Sequence, residues 1–289
     1  MRLVTFLDET REEKVGILNM QGTGVIPYDE YKTMQELIEA AGDNRGKLWQ
    51  PSLTNNQVIP MEKIKLLAPI VHPKQDIICL GINYMAHAEE SARYKNEDFG
   101  GERPFAIYFS KRVNEAVATE GIIPAYEDLV DSLDYEAELA IIIGKDAKNV
   151  AKADVKDYIF GYTILNDVSA RNVQTRHKQW YFGKSLDGFA PMGPCITTVD
   201  EIPYPPALTV RSYVNGELRQ DGNTKELIFD IDHIVSELSQ GITLKAGTII
   251  ATGTPAGAGM GFTPPKFLQK GNKVECVIEG IGVLRNYIE

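Results

Sequence analysis

The chain has 289 residues, of which 43% are hydrophobic and 24% charged, a composition typical of a globular protein and unlike that of a disordered chain or a coiled coil. Lys and Arg total 30 against 40 for Asp and Glu, and the resulting formal net charge of −10 would repel nucleic acid. Apolar runs such as 139–143 are far shorter than the roughly 20 residues that span a bilayer. Acidic residues follow the amino terminus before any hydrophobic signal segment develops, so we expect a cytoplasmic protein without a membrane partner.

The first seventy residues predict a small β-rich unit with one helix. Residues 3–7 and 15–18 are short strand candidates. A capping-box pattern beginning at Thr33 predicts the start of a helix, and Gly42 predicts its end. Residues 62–70 follow as another strand candidate, and neighbouring prolines indicate a boundary near residue 70.

Beyond this boundary the chain has the pattern of strands separated by Gly and Pro turns. The strand candidates are rich in β-branched or aromatic residues and cover 76–80, 106–110, 135–144, 158–166, 208–215, 248–253 and 273–285. Two helices are predicted among them, one after Asp167 and one over 232–240 that Gly241 ends. Because helices do not alternate with strands, we predict a strand-dominated α+β fold, with a small unit over 1–70 and a larger domain over 71–289.

Cysteine and histidine are scarce. The cysteines lie far apart and form no Cys-x-x-Cys motif: Cys79, Cys195 and Cys276. We predict that each is a small buried side chain and that none forms a disulfide or binds zinc. With only four histidines in the chain, the candidate chemistry must come mainly from carboxylates.

Three carboxylates lie at the ends of two predicted strands. Glu136 and Glu138 are two residues apart, so a strand would project both to one face. Asp167 follows the next strand. A solvated strand edge and a helix N-cap would explain these residues without any function. Gathered together, they would form an all-oxygen site suited to Mg²⁺ or Mn²⁺.

Cationic and amide side chains follow this cluster. Arg171 and Gln174 are three residues apart and would share a helix face. A guanidinium and an amide beside a metal suit the carboxylate of an α-keto acid, although a surface arginine is an equal alternative. Lys184 lies beyond Trp180 and Tyr181 and could offer positive charge to an enolate.

A histidine and a glutamate form a second candidate group. If residues 81–90 coil into a helix, His87 and Glu90 are neighbours at i and i+3, and Glu90 could orient the imidazole as a general base. The polar stretch 91–103 that follows is typical of a lid over a site. An exposed helix with a solvated histidine is the alternative.

A Gly-rich segment at 249–261 follows a predicted strand. It lacks the Gly-Lys-[Ser/Thr] sequence and the βαβ context of a nucleotide site. We predict instead that its backbone N–H groups and Thr254 bind a carboxylate or an oxyanion.

In order along the chain, six segments over roughly residues 70–285 resemble the fumarylacetoacetate hydrolase family. They are GINYMAHAEE at 81–90, FSK at 109–111, DYEAELAIIIGK at 134–145, GYTILNDVSARNVQ at 161–174, GKSLDGFAPMGP at 183–194 and TGTPAGAG at 252–259. Each segment alone is a weak signal, whereas six in the same order are specific.

The resemblance implies a mixed β-sandwich roll, usually in a homodimer, acting on a small 2-keto acid. It also implies Mg²⁺ or Mn²⁺ held by Glu136, Glu138 and Asp167, and a pair in the lid, His87 and Glu90, that activates water. The family places substrate-handling groups at positions that correspond here to Lys111, Arg171, Gln174, Lys184 and Thr254.

From this resemblance we hypothesise a metal-dependent hydrolase of 3-acylpyruvates. His87, held by Glu90, would deprotonate a water that attacks the distal carbonyl. Carbon–carbon cleavage would leave a pyruvate enolate stabilised by the metal and Lys184.

Other functions stay open. Within the family, the chain could be an oxaloacetate decarboxylase or a 2-hydroxyhepta-2,4-diene-1,7-dioate isomerase, and product analysis would separate these reactions. Outside enzymes, it could be a binding protein for organic acids or divalent cations, which would bind oxalate tightly without turning over any keto acid.

Overall fold

The chain folds into two main β-sheets, as a computed structural model describes for residues 1–42, 58–98, 100–101 and 104–289. The strands of this part are β1 Arg2–Leu7, β2 Glu13–Leu18, β3 Gly24–Pro27, β4 Ile59–Pro60, β5 Lys65–Leu66, β6 Ile77–Gly81, β7 Ile107–Lys111, β8 Gly121–Ile123, β9 Leu133–Asp134, β10 Ala137–Ile143, β11 Ile159–Asn166, β12 Ser169–Ala170, β13 Met192–Thr198, β14 Thr209–Val214, β15 Glu217–Asn223, β16 Ile249–Ala251, β17 Lys273–Ile278 and β18 Gly282–Ile288. Its α-helices are α1 Met34–Ala41, α2 Met85–Lys95, α3 Arg171–Arg176, α4 Tyr181–Lys184 and α5 Ile231–Gly241.

The larger sheet has eleven strands in the order β4-β3-β2-β1-β13-β11-β10-β16-β6-β7, with β5 paired to β1. The smaller sheet has the order β15-β14-β17-β18-β8, and β9 pairs separately with β12. Two pairings are parallel, β16 with β6 and β18 with β8, and the other pairings are antiparallel. This strand-dominated α+β architecture with mixed sheets confirms the predicted fold class.

Strand β10 lies inside the large sheet and is buried along its whole length. Leu139 and Ile141 pack into an apolar cluster that also contains Ile278 of the smaller sheet. Ala140 and Ile142 pack on the opposite side, in a cluster with Leu37 of α1. Because both faces are covered, the strand has a continuous apolar sequence instead of an alternating one.

Helix α1 forms as its capping signals predict. The Thr33 hydroxyl accepts a hydrogen bond from the Glu36 N–H at 3.2 Å, and the Gly42 N–H donates to the Ile38 carbonyl at 3.3 Å. The apolar face of the helix, which includes Leu37, is buried. Local capping and spacing are sufficient to predict this helix, because residues at its two ends make the capping hydrogen bonds and its apolar residues share one face.

Two predicted strands are wrong in extent. Residues 62–70 contain only the two-residue strand β5, after a 3₁₀ turn at Met61–Lys63, and Pro69 lacks the N–H needed to extend its pairing. Residues 273–285 contain the whole of β17 and the first part of β18, joined by a turn in which Gly280 has φ +79°. The positive φ suits glycine, which makes this residue the signal for the hairpin.

The three cysteines are buried and free, as predicted. Within the described ranges, no helix is both long and apolar enough to cross a membrane.

Candidate active site

The start of β10 and the end of β11 bring the three predicted carboxylates together. In the antiparallel register Ala137 pairs with Asn166, and the Asp167 N–H donates to the Glu136 carbonyl at 2.8 Å. One oxygen from each of Glu136, Glu138 and Asp167 lies within 4.8 Å of the others. The side chains of these three residues, called the carboxylate triad below, are all buried.

The triad belongs to a larger buried ionic cluster. All buried Asp, Glu, Lys and Arg side chains of the described residues lie in it: Lys111, Asp134, Glu136, Glu138, Asp167, Arg171 and Lys184. If every group were ionised, four carboxylates against three cations would leave one negative charge in excess. Burial of so many charges costs several kcal/mol per ion unless each is paired, so their concentration at one place indicates a functional site.

Two lysines hold the triad from one side. The Lys184 Nζ lies 2.6 Å from Glu136 Oε2 and 2.5 Å from Asp167 Oδ2. Burial opposes the charge of Lys184, but Asp167 and Glu136 hold its pKa above the usual value. The Lys111 Nζ donates to Asp167 Oδ1 at 2.7 Å and to the Val168 carbonyl at 2.9 Å. Burial lowers the pKa of Lys111, although Asp167 partly offsets this effect.

Arg171, the first residue of α3, holds the triad from the other side. Its Nη2 donates to Glu136 Oε1 at 2.5 Å, its Nε to Asp134 Oδ2 at 2.9 Å and its Nη1 to Gln174 Oε1 at 3.1 Å. Burial would raise the pKa of Glu136, but Arg171 and Lys184 hold it well below its usual range. Glu136 is therefore a carboxylate anion fixed at both oxygens.

Glu138 differs from its neighbour. It accepts one hydrogen bond, at 2.8 Å, from the Gly253 N–H. Burial raises its pKa well above the usual range, and the charges of Asp167 and Glu136 add to this rise. A hard divalent cation would relieve this repulsion, and three carboxylates are the ligands that Mg²⁺ and Mn²⁺ prefer. The donor set therefore fits such an ion.

The predicted histidine and glutamate lie on α2, next to the triad. The His87 Nδ1 is 3.5 Å from Glu90 Oε2, and its Nε2 is 3.9 Å from Glu136 Oε1. His87 is buried, and its Nδ1 has no hydrogen-bond partner among the described residues. Both Glu90 oxygens accept from the Gly257 N–H at 3.0 Å. The imidazole thus stands between a fixed carboxylate and the triad.

The backbone N–H groups of the Gly-rich segment bind carboxylates of the protein itself. The N–H groups of Gly253 and Gly257 bind Glu138 and Glu90, as described above. The Thr254 hydroxyl donates to the Ala137 carbonyl at 2.9 Å and accepts from the Gln220 amide at 2.7 Å. The partners of these N–H groups are thus carboxylates of the chain itself, and binding of a substrate by the segment and Thr254 stays a prediction.

A pocket opens beside these groups. One part of its wall is charged or polar and includes His87, Glu136, Glu138, Arg171, Gln174, Lys184 and Thr254. Another part is apolar and includes Leu80, Phe109 and Trp180. Lys111 is absent from this lining and reaches the site through Asp167. The pocket therefore joins a charged wall, which includes two of the triad carboxylates, to an apolar wall.

A family model described as fumarylacetoacetate (FAA) hydrolase C-terminal matches residues 76–289. The chain belongs to the fumarylacetoacetate hydrolase family. The predicted resemblance is therefore confirmed, and this family consists of enzymes.

Three relatives of this family member are informative. Oxaloacetate tautomerase YisK of Bacillus subtilis is 46% identical over 228 residues, which cover 79% of this chain and 74% of that protein. The structure of a fumarylacetoacetate hydrolase from Exiguobacterium antarcticum is 36% identical with a TM-score of 0.86, and the match covers 100% of this chain and 99% of that one. Maleylpyruvate hydrolase from Sphingobium sp. SYK-6, in complex with manganese(II) and pyruvate, is 30% identical with a TM-score of 0.79, at 100% and 98% coverage.

These relatives support the metal assignment. A family neighbour holds Mn²⁺, and this chain has a buried Glu-Glu-Asp triad that can bind a divalent ion. The predicted cofactor class, Mg²⁺ or Mn²⁺, agrees with both observations.

Two residues of the site were missed by sequence reasoning. Asp134 lies in the motif with Glu136 but received no role, although it bonds Arg171. Gln220, on the unpredicted strand β15, supports Thr254 and also accepts from the Ala137 N–H at 3.0 Å. The polar sequence of β15 gives no signal of a buried glutamine, since the contact depends on how the two sheets pack.

Proposed function

We propose that this protein catalyses the metal-dependent keto–enol tautomerisation of oxaloacetate or a closely similar 2-keto dicarboxylate. The observation that carries the proposal is the position of His87, 3.5 Å from Glu90 and 3.9 Å from a triad carboxylate. An acid–base group at this position would lie next to a 2-keto acid bound at the triad. The 46% identity to a B. subtilis oxaloacetate tautomerase supports the choice of reaction.

Keto–enol tautomerisation removes one proton from the substrate and adds one proton at a different atom. In the enol-to-keto direction, the C2 hydroxyl loses its proton and C3 gains one, so atoms and charge balance. A bound Mg²⁺ or Mn²⁺ would stabilise the negative charge on the C2 oxygen. His87 carries the proton, while the negative charge of Glu90, 3.5 Å from Nδ1, would stabilise the protonated ring. Lys184 and Arg171 keep the carboxylates of the site oriented and add positive charge.

A second candidate is hydrolysis of a 3-acylpyruvate, the reaction hypothesised from the sequence. It is supported by the same His87 and Glu90 pair and by the structural match to maleylpyruvate hydrolase. Here His87 takes a proton from water, the hydroxide adds to the distal carbonyl, and the C3–C4 bond breaks to release an acid and pyruvate enolate. Both reactions need stabilisation of an enolate at C2 and C3 of the keto acid. One site that stabilises this enolate could therefore catalyse either reaction.

Product analysis separates the candidates. Chelator-treated protein is reloaded with Mg²⁺ and given enol-oxaloacetate and acetylpyruvate in parallel, with measurement of enol absorbance, acetate and CO₂. We expect accelerated loss of the enol without acetate or CO₂. Acetate release as the dominant activity would favour the hydrolase, dominant CO₂ release would favour a decarboxylase, and binding without turnover would favour a binding protein.

A matched pair of glycine substitutions tests the placement of Glu90. A Cβ at Gly261 would lie 2.5 Å from the Glu90 carboxyl carbon, whereas a Cβ at Gly241 meets no atom within 4 Å. We expect Gly261→Ala to displace Glu90 and to lower kcat about 10- to 100-fold, since small misplacements of reacting groups have effects of that size. Gly241→Ala should keep wild-type kcat. Equal activity of the two variants would show that the position of Glu90 does not matter.

A further inference from the structure

Asp134 is fully buried behind Arg171 and does not line the pocket. Its Oδ1 accepts from the N–H groups of Gly259 at 2.7 Å and Tyr135 at 2.9 Å. Its Oδ2 accepts from Arg171 Nε at 2.9 Å and from the Met260 N–H at 3.1 Å. This carboxylate is therefore saturated with donors, and those donors come from two different parts of the site.

One part is the metal-binding side. Because Asp134 binds the Nε edge of the Arg171 guanidinium, the planar group is held in one orientation. Its Nη2 then reaches Glu136 Oε1 at 2.5 Å. Asp134 thus orients Arg171, and Arg171 in turn binds the triad carboxylate of Glu136.

The other part is the turn under helix α2. The 3₁₀ turn Gly259–Gly261 includes both backbone N–H groups that Asp134 binds on this side. The Glu90 carboxylate occupies the space that a Gly261 side chain would fill, and Arg93 Nη2 of α2 donates to the Gly261 carbonyl at 3.0 Å. The turn that Asp134 holds is therefore the surface on which α2 and Glu90 rest.

We infer that Asp134 is a positioning residue that couples the packing of helix α2 on the 259–261 turn to the orientation of the metal-binding carboxylates. It touches neither the pocket nor the triad and acts through Arg171 on one side and through the 259–261 turn on the other. A carboxylate with a purely structural role would instead stabilise the whole fold. It would not link the packing of α2 to the orientation of the metal-binding carboxylates.

The test uses the isosteric change Asp134→Asn. An asparagine keeps one acceptor oxygen, but its NH₂ group would face the donors of Arg171 and Met260. We expect the Kd for Mn²⁺ to rise about 10-fold, as for other residues that orient metal ligands. In metal-free protein we also expect hydrogen exchange of the α2 amides, Met85–Lys95, to accelerate about 10-fold, with α1 and α5 unchanged.

Asp8→Asn is the matched control. The Asp8 carboxylate also accepts two backbone N–H groups, from Thr10 at 2.8 Å and Glu12 at 3.1 Å, and pairs with Lys14 at 2.7 Å. Asp8 follows β1 in the amino-terminal strands and has no contact with the triad. We expect this variant to keep wild-type Mn²⁺ affinity and wild-type exchange of α2.

A second variant keeps the test decisive if Asp134→Asn does not fold. A Cβ at Gly259 would lie 2.6 Å from Asp134 Oδ1 and 2.6 Å from the Lys266 carbonyl oxygen, so Gly259→Ala disturbs the contact of Asp134 with the turn and retains the carboxylate. The coupling is supported if either variant weakens Mn²⁺ binding and loosens α2 together. It is overturned if Mn²⁺ affinity stays within twofold of wild type, or if exchange accelerates equally throughout the chain. Neither readout uses a substrate, so the result is independent of the proposed tautomerase activity.

Discussion

We expect His87→Gln to lower kcat for enol-oxaloacetate about 1,000-fold, within the range known for loss of a general acid–base group. Glutamine keeps a polar side chain of similar reach but cannot carry a proton. His87 lies between Glu90 and Glu136. Mn²⁺ affinity should stay within about twofold of wild type, because the three carboxylates supply the metal ligands.

The control for this substitution is His72→Gln. His72 is exposed, and its ring contacts the Asn114 carbonyl at 2.9 Å, outside the pocket. Its kcat should equal that of the wild type. A His87→Gln enzyme with kcat within a few-fold of wild type would remove His87 from the mechanism.

The second large effect concerns the metal. We expect Glu138→Gln to weaken Mn²⁺ binding about 100-fold or more, since loss of a ligand charge should exceed the 10- to 100-fold cost of losing a supporting residue. The metal-free protein should become more stable, because burial and the charges of Asp167 and Glu136, which raise the pKa of Glu138, no longer oppose an ionised side chain. Calorimetric titration with Mn²⁺ and thermal unfolding in chelator measure the two effects.

Glu275→Gln provides the control for charge removal alone. Glu275 pairs with Arg285 at 2.7 Å and Lys273 at 3.0 Å on the smaller sheet. We expect unchanged Mn²⁺ affinity and slightly reduced stability. Glu138→Gln protein that binds Mn²⁺ as tightly as wild type would contradict the triad as the metal site.

Much of the site could be predicted because its parts depend on local spacing. Glu136 and Glu138 share a strand face through the two-residue repeat, and His87 and Glu90 share a helix face through the i, i+3 repeat. Asp167 joins them because consecutive strands commonly pair, which brings the end of β11 beside the start of β10.

Other contacts depend on long-range packing that spacing does not express. Asp134 binds a turn about 125 residues further along the chain, and Gln220 reaches the site from the other sheet. The same limit applies to the fold. Helix α1 is specified by its caps, whereas β13 and β15 lack a clear alternating pattern and become strands through their neighbours.

The reaction itself is the least predictable feature. The sequence hypothesis of a hydrolase depended on the His87 and Glu90 pair as a water-activating base. Under the proposed function the same pair transfers a proton at C3 of a 2-keto acid, and a relative with 46% identity is an oxaloacetate tautomerase. Both candidate reactions would use an enolate stabilised at the carboxylate triad, and they differ in the group that gives its proton to His87: the C2 hydroxyl in tautomerisation or a water in hydrolysis.

Stopped-flow measurement of enol-oxaloacetate decay tests the metal-dependent proton transfer most directly. Wild-type protein is stripped with a chelator and titrated with Mg²⁺, and each rate is compared with Mg²⁺ alone. We expect no acceleration by the stripped protein, a saturable rise in rate with Mg²⁺, and loss of that rise in His87→Gln protein saturated with metal. Decay at the protein-free rate, in wild-type protein shown to bind Mg²⁺, would contradict the proposed function.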